Sequence, residues 1–320
     1  MSTVPSGIPL DTAAIMSSVL EGILYGFSVL MFIGFVWTFT DKKSVRDVNR
    51  PIAAVAALLL VLSTAHIVIG IIHLEAGLVQ YRDTYPGGPM AFFADFHRGT
   101  FVAKNAIYTL QTLLGDGVVI YRCYVVWQSV WIIILPCIMW CGVGAFGVCS
   151  VYYFSQATTS DIENFFNSEP GHWVATFLAF TLATNVLSTG LLAYRIWMIE
   201  REVSAVCATR TKVPILRVLI DAAILYSAAL CSSLMCFAFG NNGLYVMGDM
   251  SVPIVSITFY MVFIRIATNR NNQHYIPAVS GGTTDTERSN SRQYPMQPLH
   301  GAYKQTDVSF MVDSPKMALV

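Results

Sequence analysis

Charge is what this chain has least of. Only 12% of its 320 residues are Asp, Glu, Lys or Arg, where an ordinary soluble domain carries about 25%. With 55% hydrophobic residues and a mean hydropathy of +0.57, the chain has too little polar surface to face water. That excludes a soluble enzyme, a nucleic-acid-binding module and a disordered regulator, and makes lipid the solvent of the fold. The 19 basic and 19 acidic residues cancel, so no overall field recruits nucleic acid or acidic lipid, and any effect of charge lies in its placement.

Motifs of catalysis are missing as well. There is no Gly-x-Ser-x-Gly elbow, no Cys-His signature and no Gly-rich phosphate loop, which removes the usual routes to nucleophilic and nucleotide-dependent chemistry. The last apolar stretch, Tyr245 to Ala267, contains no lysine for a retinal Schiff base. No outer segment holds an N-x-Ser/Thr acceptor. The seven cysteines, Cys123, Cys137, Cys141, Cys149, Cys207, Cys231 and Cys236, all fall in expected helices or on the expected inner side. No disulfide is therefore expected, and Cys207 is a free thiol or a palmitoylation candidate.

Zinc-dependent hydrolysis deserves weighing, because Ser63, His66 and His73 share one apolar stretch and Asp116 lies on the next. Such a site needs three convergent protein ligands and an open water position. His66 and His73 are seven residues apart, about 10 Å along a helix axis. That is too far for one coordination sphere, and the three stretches that follow residue 171 hold no histidine except His172, at an outer end. We expect no metal, no cofactor and no enzyme activity, with His66 making an interhelical hydrogen bond.

What is present is long apolar runs. A bilayer core of about 30 Å takes about 20 residues of helix, and seven stretches qualify: 13–40, 52–74, 101–127, 130–154, 172–199, 213–240 and 245–267. The expected fold is all-α, a single-domain seven-transmembrane-helix bundle. A short outer N-terminus (1–12) precedes it and a disordered cytoplasmic tail (268–320), rich in Ser, Thr, Asn, Gln, Gly and Pro, follows it. The first stretch is too long, and its leader too uncharged, for a cleaved signal peptide. With the N-terminus out, sixteen of the nineteen basic residues face inward and only Arg82, Arg98 and Lys104 face outward, as the positive-inside rule requires. Phe92, Phe93 and Phe96 in the long outer connection read as an interfacial helix resting its aromatics at the headgroups, or as caps on a ligand pocket.

A charge inside a membrane helix costs about 2.5–3.5 kcal/mol and calls for a partner, water or a function. Five charged residues stand at that depth: Glu21, Lys104, Asp116, Asp221 and Asp249. Toward the inner ends, Asp116, Arg122, Arg195, Arg217 and Asp221 have matching depths and can form an acid–base latch whose rearrangement opens a cytoplasmic cleft, or static packing glue. Toward the outside, Glu21, His66, Lys104, Asn105 and Gln111 can line a small-molecule cavity capped by Trp173, Phe165 or Phe166, or snorkel individually to the interface.

The third stretch reads LLGDGVVIYRCYVVW, with Gly115, Asp116, Tyr121, Arg122, Tyr124 and Trp127, and the fifth ends LLAYRIW, with Arg195 and Trp197. Together with seven helices and a polar tail, this resembles a group of uncharacterised seven-helix membrane proteins of mushroom-forming fungi. More broadly it resembles G-protein-coupled receptors, with Arg122 at the inner end of helix three in the triplet Tyr121-Arg122-Cys123. The outer cysteine pair of those receptors is absent, and Pro253 and Tyr260 do not make their Asn-Pro-x-x-Tyr spacing. The resemblance implies a receptor-like sensor in the plasma membrane, with an external small molecule or peptide as ligand and a heterotrimeric G protein or other cytoplasmic partner. The alternatives are a transporter or channel with Asp116 as an intramembrane ion or proton site, and a non-catalytic scaffold whose tail, including Thr283, Thr284, Thr286, Ser289 and Ser291, recruits partners when phosphorylated.

Overall fold

The computed structural model describes residues 9–40, 50–86, 88–157, 165–206 and 214–274. They form α1 (Leu10–Thr40), α2 (Arg50–Glu75), a π turn (Ala76–Gln80), a short α3 (Gly88–Ala94), α4 (Gly99–Trp127), α5 (Val130–Ser155), a 3-10 turn (Phe165–Asn167), α6 (Glu169–Val206), α7 (Pro214–Ala238) and α8 (Gly243–His274). There is no strand among the described residues. Helix is the form that satisfies every backbone N–H and C=O within one segment, which lipid demands.

The seven expected stretches correspond to α1, α2 and α4 to α8. Six of these seven helices are long and apolar enough to cross a bilayer, so the chain is an integral membrane protein. The exception, α4, has 29 residues but holds Lys104, Asp116 and Arg122. Ends differ from expectation by a few residues except at the C-terminal ends of α6 and α8, which run on to Val206 and His274. The expected tail from residue 268 thus begins as helix, and its remainder lies outside the described residues, as do Cys207 and most of the expected N-terminal segment.

α8 is the axis of the bundle. Two-thirds of its apolar stretch is buried against 17–39% for the other five membrane candidates, and Ile254, Val255, Phe259, Tyr260 and Phe263 lie in the main core with Phe35, Leu59, Val143 and Leu230. Tyr260, fully buried, donates to Ala56 O across 3.0 Å. The outward faces remain apolar, with Trp131 84% and Trp37 74% exposed, as helices facing lipid rather than water should be. Gln128 takes the left-handed conformation (φ 52°) and returns its N–H to Tyr124 O, ending α4 and turning the chain directly into α5.

The outer connection packs differently from expectation. Phe92 and Phe93 are 0% and 1% exposed, set against His73, Gly77 and Ala14, so they do not rest at headgroups. Arg98 lies 3.9 Å over the Phe92 ring, with Tyr81 at 4.9 Å, and Tyr85 donates to Asp95 at 3.0 Å. Burial of that hydroxyl and its bond to Asp95 hold the Tyr85 phenol above its ordinary range.

Candidate functional site

Four helices contribute charge to one point near the end of the bundle that carries the 75–100 connection, the end expected from the sequence to face outward. Glu21 (α1), His66 (α2), Lys104 (α4) and Asp249 (α8) are each at most 8% exposed. Lys104 Nζ donates to Asp249 Oδ2 at 2.8 Å, and Ser17 donates to the same carboxylate. His66 Nδ1 meets Glu21 Oε1 at 2.6 Å, while its Nε2 stands 3.8 Å from Asp249 Oδ1. Each charge has an opposite charge or a hydrogen-bond partner, which is the condition for keeping it at membrane depth. The ligand atoms of Glu21, His66 and Asp249 lie within 4.8 Å of one another, a spread that suits a metal ion. The ammonium of Lys104 is the cation bonded to Asp249 there.

Over this cluster lies a cavity of about 110 Å³. Its walls are aromatic, with Phe96, Phe101, Phe154, Phe165, Phe166 and Tyr245, and its polar groups include His66, Lys104, Asn105, Tyr108 and Asp249. The rings brace one another: Phe96 to Phe165 is 4.9 Å between centroids and Phe101 to Phe154 is 5.1 Å. Apolar walls with a few fixed polar anchors describe a small-molecule site.

The residues expected here therefore separate. Lys104, Asn105 and His66 line the cavity, and Glu21 stands behind His66. Gln111 does not reach it: its amide donates to Ser63 Oγ, Ser256 Oγ and Val252 O deeper in the bundle. Of the expected capping residues, Phe165 and Phe166 are among the cavity's walls, as is Phe96, whereas Trp173 stacks on Tyr153 at 5.5 Å. Asp249 was legible as an intramembrane charge but not as the partner of Lys104. The signal was there in the need of a buried lysine for an acid at its own depth.

Toward the inner end the expected acid–base network is not formed among the described residues. Asp221 is exposed, because α7 turns Ala222, Tyr226 and Leu230 inward and Asp221 away. Arg195 lies 5.1 Å over the Trp127 ring and reaches Met198 Sδ at 3.4 Å, not an acid. Arg217 has its side chain outside the described set. Asp116 and Arg122 do share a place: both line a second cavity of about 50 Å³, with Asn185, Thr189, Tyr226 and Thr258. Arg122 stands 3.8 Å over the Phe263 ring, while its Nε and Nη2 and Asp116 Oδ2 make no hydrogen bond.

No family model matches the chain, and neither a curated protein nor a solved structure does.

Proposed function

We propose that this is a receptor-like membrane protein whose outer cavity takes a small organic ligand, in a bundle of seven crossings with the N-terminus outside. The observation that carries this reading is the aromatic-walled cavity closed at its base by the Lys104–Asp249 pair. The seventh crossing is α4. Its 29 residues extend about 44 Å, and Lys104 and Asp116 are buried inside the bundle rather than facing lipid. The sixteen inward basic residues support the orientation. The proposal includes the likeness of α4 and α6 to seven-helix proteins of mushroom-forming fungi, residence in the plasma membrane and a G protein as cytoplasmic partner. No catalytic role is proposed.

Ligand binding stabilises a fold by about 2.7 kcal/mol at a hundred times the dissociation constant. The test is the thermal unfolding midpoint of the purified protein in detergent, with fractions of a small-molecule fungal extract added. At least one fraction raises the midpoint of the wild type and leaves that of Phe165→Ala, which opens the aromatic cap, unchanged. A panel in which no fraction moves the wild type, or in which every shift persists in Phe165→Ala, contradicts the reading.

A further inference from the structure

One face of α4 carries a polar residue at every fourth position: Lys104, Tyr108, Thr112 and Asp116. Each lies one turn below the last and about 40° further round the axis, so the row winds down the helix, about 18 Å from first to last. Lys104 and Tyr108 line the outer cavity, Asp116 lines the inner one, and Thr112 is fully buried between them. Tyr226 of α7 completes the sequence from the side. Its hydroxyl lies beside Thr112 and within electrostatic reach of Asp116 and Tyr108, and Thr112 lies beside Tyr108.

Four buried oxygens along this line, Tyr108 OH, Thr112 Oγ1, Tyr226 OH and Asp116 Oδ2, have no hydrogen bond of good geometry, although the Tyr108 hydroxyl is near Ser251 and Thr112 and that of Tyr226 is near Thr112. Each unsatisfied buried group is destabilising, and Phe, Val or Leu of similar size would remove the cost. By contrast, Thr181 and Thr184 on α6 each return the hydroxyl to a carbonyl four residues back. Unpartnered buried oxygens also occur at Ser28, Ser188 and Gln111, but four fall in succession along this line.

We propose that Tyr108, Thr112, Tyr226 and Asp116 form a proton-transfer line between the two cavities, through which the protein passes protons across the membrane. Hydronium in the outer cavity gives a proton to the Tyr108 oxygen, leaving water, as that hydroxyl passes its own proton to Thr112. Thr112 passes its proton to Tyr226 and Tyr226 passes its proton to the Asp116 carboxylate. The neutral acid then releases the proton to water in the inner cavity. Each hydroxyl ends with one proton, no electron moves, and rotation of the O–H bonds resets the line. A proton suits Asp116 better than a metal cation does: an ion would share a space of about 50 Å³ with the Arg122 guanidinium, whereas a proton neutralises the carboxylate without a coordination sphere. The line rests on the crossing by α4 proposed above and not on a ligand for the outer cavity.

The test uses the full chain in phospholipid vesicles with a trapped pH-sensitive dye, an imposed pH gradient, and potassium with valinomycin to hold the potential. Wild-type vesicles lose the gradient faster than empty ones. Asp116→Asn and Thr112→Val each slow the protein-dependent rate by about a hundredfold, the lower end of what a positioned proton carrier contributes, while Thr184→Val, off the line, leaves it unchanged. Thr112→Val is isosteric and serves if Asp116→Asn does not insert. Wild type no faster than empty vesicles, a rate indifferent to Thr112→Val, or a rate that follows a sodium gradient overturns the proposal. Ligand-induced thermal shifts survive that failure, so the two readings fail separately.

Discussion

Lys104 shows how one residue can be affordable at a depth where charge is normally excluded. Its ammonium reaches Asp249 at 2.8 Å with both side chains nearly enclosed, and Ser17 and His66 share the burden of the carboxylate. Such a pair adds little net stability, yet breaking it leaves an uncompensated buried charge, at about 3–5 kcal/mol. Lys104→Met should therefore lower the unfolding midpoint sharply, and the double variant Lys104→Met, Asp249→Leu should recover part of the loss. A double variant as destabilised as the two singles combined would show that the two side chains act independently. The cluster was half legible in the sequence. Depth along a helix follows from counting residues, so Glu21, His66 and Lys104 were correctly expected at one level. Direction around the helix axis does not follow from counting in a span apolar on all sides, and for that reason Gln111 and Asp221 were assigned to groups they turn away from.

Elements set the shape of the outer cavity through close approaches. The 3-10 turn that presents Phe165 and Phe166 is seated on the first turn of α6, where a Cβ at Gly171 would stand 2.1 Å from Phe165 O. Backbone cannot yield there as a flexible side chain can. Gly171→Ala should displace the turn, cost about 1–3 kcal/mol of stability, and uncover the cavity, read as faster reaction of an introduced Asn105→Cys thiol with a water-soluble maleimide. An unchanged rate would mean that Phe165 does not cover the cavity. On α4 a Cβ at Gly115 would stand 2.7 Å from Val255 Cγ1, the small-residue contact by which membrane helices approach closely. The existence and order of the long helices were plain from apolar run length alone. The inward register of α3 was not, because Phe92 and Phe93 read equally well as lipid anchors until the neighbours that enclose them, His73, Gly77 and Tyr81, are in place.

At the scale of the molecule, two cavities lie one above the other along α4, the outer with the ion-paired Lys104 and the inner with Asp116 and Arg122. Conformational coupling between them requires only that a ligand prefer one arrangement of the bundle, with about 1–3 kcal/mol sufficing for a measurable response. α8 is placed to carry it, since Asp249 borders the outer cavity and Val255, Phe259 and Val262 border the inner one. All of this depends on α4 crossing the bilayer so that the cavities open to opposite sides. The most direct measurement is labelling of intact cells with a membrane-impermeant maleimide, comparing Asn105→Cys and Thr189→Cys with the unsubstituted chain. The arrangement predicts labelling of Asn105→Cys from outside, with Thr189→Cys labelled only after the cells are opened. Labelling of both from outside, or of Thr189→Cys alone, would contradict it.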